Sequence, residues 1–116
     1  FCVTRAEVVK TKRNIPKISI FFPSKLVVKY KNPFIHGSLM IKKETLLGIG
    51  KYNEDYYYAQ DYKLFWDLLH HGTKFKYLLS PYYVLNITDN ISTNKKDEQK
   101  YYSQCVKNNI KPVLKI

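Results

Sequence analysis

The segment QDYKLFWDLLHHG, residues 60–72, constrains the fold most. Asp61, Leu64, Phe65, Leu68, Leu69 and Gly72 recur at i, i+3, i+4, i+7, i+8 and i+11, which is one face of an α-helix. Lys63, Asp67 and His70 point elsewhere. The spacing predicts a helix over residues 60–71, ended by Gly72. A helix with one apolar stripe must bury it, so the remaining chain has to build a core around it. The head of the stripe is a carboxylate. Burying a charge without compensation is costly, so Asp61 either caps the helix or lines a cleft. The free N–H groups and dipole of a helix start stabilise an ionised carboxylate. Held at a cleft edge, such a group is suited to general-base work.

The rest of the chain reads as short elements. Residues 1–10 alternate and predict a strand, followed by a polar turn over residues 11–14. Residues 16–22 (PKISIFF) are β-rich and end at Pro23. Ser24 is placed to cap a short helix that stops before Asn32-Pro33, because a residue preceding proline avoids the helical region. Residues 35–42 alternate as a strand would. Residues 43–48 form a short helix punctuated by Gly48 and Gly50. A loop crowded with tyrosines spans residues 51–59. Two strands are expected over residues 74–79 and 82–87, with Ser80-Pro81 between them. A polar loop over residues 88–94 leads into a charged helix over residues 95–108, with Pro112 beyond it. No repeat or linker interrupts the pattern, so residues 1–116 read as one α/β domain with a mixed sheet and flanking helices. At 45% hydrophobic content, 116 residues suffice for one core.

The formal net charge is +11. An excess of this sign favours nucleotide diphosphates, nucleic acid or an anionic membrane face, although a solvated lysine-rich surface gives the same count. Cys2 and Cys105 lie far apart and form no CxxC pair, so a zinc site is not expected. Two thiols are a simpler account than a disulfide. No apolar run is long enough to span a bilayer. The chain opens on Phe1 with residues that already look strand-like, which reads as a piece of a longer protein.

Three stretches in order carry a resemblance: NPFIHGSLMIKKETLLGIGKYNED, then YYYAQDYKLFWDLLHHGTKFKYLL, then NITDNIS. Over residues 31–92 the chain resembles the acceptor-side, C-terminal portion of the catalytic domain of family 2 glycosyltransferases. Members often read N-P-hydrophobic-x-H-x-S-hydrophobic-M. A short helix ending in G-G-Y-D-E follows, then a helix opening with E-D or Q-D before aromatic-x-L-W. The resemblance implies a partial GT-A fold, the Rossmann-like nucleotide-diphospho-sugar transferase architecture. It implies an enzyme that moves a sugar from a nucleotide-sugar donor to a saccharide or lipid-linked acceptor in bacterial surface polysaccharide synthesis. It places that enzyme in the cytoplasm, at the inner face of the membrane in a peripheral association.

Carried over by position, Asp61 matches the catalytic base, and Gln60 stands where many members have Glu. His36 matches the histidine of the N-P-x-x-H stretch, either near a sugar or bracing the sheet. Tyr57 and Tyr58 precede the base and offer ring faces to a sugar, or one of the tyrosines of this run is simply buried. Gly50 and Tyr52 match the G-G-Y turn, with Lys51 replacing the second glycine. Phe65 and Trp66 match core positions of the helix.

Two departures stand out. No Asp-x-Asp is present, so the Mg²⁺ or Mn²⁺ that the resemblance implies would draw its ligands from outside these residues, and this chain alone would be inactive. Leu85, Asn86, Ile87 and Thr88 stand where many members carry Y-R-x-H. The resemblance implies no nucleic-acid partner. Two other classes remain open: a basic, aromatic-rich module for single-stranded nucleic acid, and an inactive structural relative of the transferases. A sheet cut between two halves of a domain leaves an open strand edge, so self-association is expected.

Overall fold

A computed structural model describes residues 1–86 and 95–113. Among these described residues three strands form one mixed sheet in the order β2-β1-β3. Strand β1 (Cys2–Val8) is central and carries Val3, Ala6 and Val8 into the interior. It turns back through a tight loop in which the Lys12 N–H donates to the Val8 carbonyl at 2.9 Å. Strand β2 (Asn14–Ile15) then pairs antiparallel, Ala6 opposite Ile15. Strand β3 (Lys76–Leu85) pairs with β1 in parallel. A parallel partner needs a crossover, and here everything between residues 16 and 75 serves as one.

The two strands expected over residues 74–79 and 82–87 are one strand with an interruption. Cys2, Val3 and Thr4 face Lys76, Tyr77 and Leu78, whereas Ala6, Glu7 and Val8 face Tyr83, Val84 and Leu85. Between Thr4 and Ala6, β3 therefore uses three more residues than β1, and Ser80-Pro81 falls in that bulge. A proline there removes no ladder hydrogen bond. The polar loop expected over residues 88–94 lies outside the described residues.

Two other expected strands are absent. Residues 16–22 contain a 3-10 turn, Ser19–Phe21, and no sheet pairing. Residues 35–42 contain a second 3-10 turn, His36–Ser38, and touch the sheet only where Cys2 bridges Met40. The reason lies in Ser38. Its Oγ accepts the Thr4 N–H at 3.0 Å and donates to the Ile35 carbonyl at 2.7 Å. A side chain thus takes the backbone partner that a fourth strand would have provided.

Helix α1 (Ser24–Val27) is a single turn that starts one residue earlier than expected, with Pro23 at the cap. Helix α2 (Lys43–Gly48) and helix α3 (Gln60–His70) follow the sequence reading closely, and helix α4 (Lys96–Lys107) lies within the expected range. The last three end alike. In α3 the Gly72 and Thr73 N–H groups reach back to the Leu69 and Leu68 carbonyls, and α2 and α4 close through the corresponding pairs. This is the Schellman arrangement, which needs a left-handed residue just past the helix. Gly50, Gly72 and Asn109 supply it, with φ of 91°, 77° and 53°. Gly72 is thus an exposed cap and no part of the buried stripe.

Helix α3 lies at the centre of the core. Leu64, Phe65 and Leu68 are fully buried, with Leu69 and Tyr62 nearly so. Around them pack Val3 of β1, Val28, Phe34, and Tyr102, Cys105 and Val106 of α4. Each buried aliphatic or aromatic side chain stabilises by about 1.5–3 kcal/mol relative to exposure. Phe34 meets Phe65 edge-to-face at 4.9 Å, and Phe1 stacks on Phe75 at 5.0 Å. Cys2 and Cys105 are free thiols. The molecule is thus of mixed α/β type, with a three-stranded mixed sheet and helices.

Candidate functional site

Asp61 sits in the first turn of α3, one residue inside the helix start, and Ala59 occupies the cap position. The carboxylate is therefore not the cap, and the cleft alternative describes it. It is half-buried and lines a cavity of about 280 Å³. Asn32 Nδ2 donates to Asp61 Oδ2 at 3.1 Å. The other end of that amide is engaged as well, since Asn32 Oδ1 accepts the Phe34 N–H at 3.2 Å. Both ends being used fixes the amide orientation, so the donor stays aimed at the carboxylate. Asn32 is held in turn by its place between α1 and Pro33.

The opposite wall comes from α4. Gln99, Ser103 and Lys107 line the cavity at four-residue intervals, while Tyr102, Cys105 and Val106 face the core. Gln99 Nε2 donates to the Tyr58 carbonyl and so ties α4 to the loop that delivers Asp61. Lys31 and Lys107 add two cations to the lining. Among the described residues the lining offers one carboxylate, two ammonium groups, two amides, the Ser103 hydroxyl and the phenols of Tyr58 and Tyr62, a set of donors and acceptors suited to a hydroxyl-rich ligand.

The tyrosine run divides three ways. Tyr56 is core: its ring is buried and its hydroxyl donates to the Ile110 carbonyl at 2.9 Å. Tyr58 lines the cavity and meets Tyr102 edge-to-face at 5.7 Å. Tyr57 is half exposed and stands edge-to-face against Tyr58 at 4.7 Å. Only Tyr58 of the two expected sugar-facing rings is at the cavity wall. Gln60 occupies the first helical position, half-buried, and is not among the residues lining that cavity.

His36 is exposed and lies outside the cavity. Its Nε2 is 2.7 Å from the Tyr52 hydroxyl, with the two rings at right angles. Burial first, and the Asp61 charge second, push the Tyr52 phenol above its ordinary value. His36 belongs to a 3-10 turn, whereas the sequence placed it on a strand.

The resemblance implies a divalent cation. Among the described residues no three His, Cys, Asp or Glu side chains converge as ligands. Among the described residues the cavity lining has one carboxylate beside two lysines, which does not fit a hard dication needing several anionic oxygens.

Asn32 and the α4 residues Gln99, Ser103 and Lys107 were missed by sequence reasoning. The α4 stripe had a signal, the spacing of positions 99, 103 and 107 opposite the buried face. Asn32 had none, because it reaches Asp61 across 29 positions of sequence. No protein-family model matches the chain, and no curated protein or solved structure matches it either.

Proposed function

We propose that the chain is the acceptor-side part of a GT-A-type, family 2-like glycosyltransferase, with Asp61 as the base that activates the acceptor. The observation that supports this reading best is the placement of Asp61. A carboxylate in the first turn of an apolar-backed helix lines a polar cavity and is oriented by a doubly engaged amide.

In such a reaction the acceptor hydroxyl gives its proton to the Asp61 carboxylate as its oxygen attacks the anomeric carbon. The bond from that carbon to the nucleotide diphosphate breaks, and the sugar leaves with inverted configuration on the acceptor oxygen. Alignment of base, oxygen and carbon is the main requirement. Asn32 would serve as the positioning residue for the base. Tyr58 lines the cavity where an acceptor would sit, and Lys31 and Lys107 give it a positive lining that suits a phosphate-bearing ligand. Tyr57, Gln60 and His36 are assigned weaker roles than the resemblance gives them, since none of them lines the cavity. Donor binding and the divalent cation belong, on this reading, to a nucleotide-binding portion beyond these residues. The reading also carries the cytoplasmic location and the surface-polysaccharide product that the resemblance implies.

The test is transfer from a nucleotide-sugar by a protein joining this chain to its nucleotide-binding portion. Asp61→Asn should reduce kcat by at least a hundredfold with KM for the donor little changed. Undiminished transfer by Asp61→Asn would remove the base role.

A further inference from the structure

Between Glu7 and Glu44 the chain carries nine Lys and Arg residues and no Asp or Glu. The middle of that stretch is also where large apolar side chains face outward. Phe21 is 81% exposed, Ile18 72% and Tyr30 69%, with Phe22 and Leu26 about half exposed. These five lie within thirteen consecutive residues, on the 3-10 turn and the α1 segment that packs against it. Lys17, Lys25 and Lys29 are exposed among them. Scattered exposed hydrophobes need no explanation, but a clustered set with a cationic surround marks an interaction surface.

The segment is not loosely attached. Val27 and Val28 are buried on its inner side, and the Tyr62 hydroxyl donates to the Val28 carbonyl at 2.6 Å. Leu26 and Tyr30 are four positions apart, as are Lys25 and Lys29, so apolar and cationic groups project as adjacent rows from one turn.

We propose that this face docks onto an anionic lipid bilayer. Phe21, Phe22 and Leu26 enter the boundary between headgroups and acyl chains. Lys17, Lys25 and Lys29 meet the anionic headgroups. Apolar insertion together with a cationic surround is the pair of signals that peripheral attachment requires. Charge selects lipid over a second copy of the chain, because an isologous contact here would bring the same lysines face to face. Phe21, Phe22 and Tyr30 would suit bases as well as lipid, but Ile18 and Leu26 add branched hydrocarbon that acyl chains accept and bases do not stack on. No helix among the described residues is long and apolar enough to cross a membrane, so the mode is attachment to the surface. Lys31 and Asn32 follow Tyr30 directly and line the Asp61 cavity, so docking brings that cavity close to the lipid. The proposal stands whether or not Asp61 is a base.

Co-sedimentation with phosphatidylcholine vesicles, with and without phosphatidylglycerol, tests it. The chain should pellet with the anionic vesicles and remain in the supernatant with the neutral ones. At about fivefold per lysine, Lys25→Gln with Lys29→Gln should weaken partitioning by roughly 30-fold. Phe21→Ser with Phe22→Ser should weaken it by about tenfold or more at unchanged charge. All four positions are exposed, and circular dichroism confirms the fold of each variant. Partitioning that is absent, or indifferent to either pair, overturns the proposal. So does binding of single-stranded oligonucleotides in preference to vesicles, or a dimer abolished by the Phe21/Phe22 variant in a protein that ignores lipid.

Discussion

Tyr62→Phe isolates the contact that fastens α1, and with it Asn32, to the helix carrying Asp61. The Tyr62 side chain is 3% exposed, and its hydroxyl donates to the Val28 carbonyl at 2.6 Å. Phenylalanine keeps the ring and its packing but deprives a buried acceptor of its donor. An acceptor left unpaired in the interior costs about 1–3 kcal/mol. For a chain of this length each kcal/mol lowers Tm by about 4 °C, so a drop of roughly 4–12 °C is expected.

The same residue gives a second, independent signature. Burial pushes the Tyr62 phenol up to about 12 from an ordinary 10.0. The folded state therefore holds this proton after the unfolded state has begun to release it. The resulting stability is fully present below pH 10 and is lost as pH rises towards 12. The gap between wild type and Tyr62→Phe should accordingly be widest at neutral pH and should narrow over that window. Thermal melts followed by circular dichroism at neutral pH, with urea unfolding across the alkaline range, measure both. An unchanged Tm, or a gap that stays constant to pH 12, would refute the reasoning.

Three further outcomes are expected. Lys51 has a φ of 67°, a left-handed conformation that disfavours any side chain, so Lys51→Gly should raise stability by about 0.5–1 kcal/mol in urea unfolding. Leu68→Ala opens a void in the fully buried face of α3 and should cost about 2–5 kcal/mol, read as a fall in the urea midpoint at constant m. Gln99→Ala removes the tie between α4 and the Tyr58 carbonyl. It should cost about 1 kcal/mol and speed amide exchange in the loop before Asp61, measured by hydrogen-exchange NMR.

The elements that the sequence made legible are those whose signals are local. Helix α3 showed itself through its apolar period, and α2 through its flanking glycines. Asp61 was legible as the polar head of a buried stripe, and the structure lines a cavity with it. Lys51 stands where the resemblance has a glycine, and its φ is positive. The misread stretches depended on partners. PKISIFF and IHGSLMIK have strand-like composition, but a strand also needs a free edge beside it. The first pairs with no strand, and Ser38 took the second one's place on β1. Composition marked Tyr56, Tyr57 and Tyr58 as equivalent; only their burial separates core, wall and rim. For the same reason Asn32 stayed hidden, since its role comes from a contact with a helix that has not yet begun at that point in the chain.

The central strand is also the earliest in chain order, and its parallel neighbour begins only at Lys76. Val3, Ala6 and Val8 are therefore made well before the parallel strand that pairs with them. Acquisition of the native sheet must wait for the closure of a loop more than seventy residues long, which places it among the slower topologies for its size. Truncation ahead of Lys76 would remove the whole parallel partner of β1 and leave it paired with β2 alone.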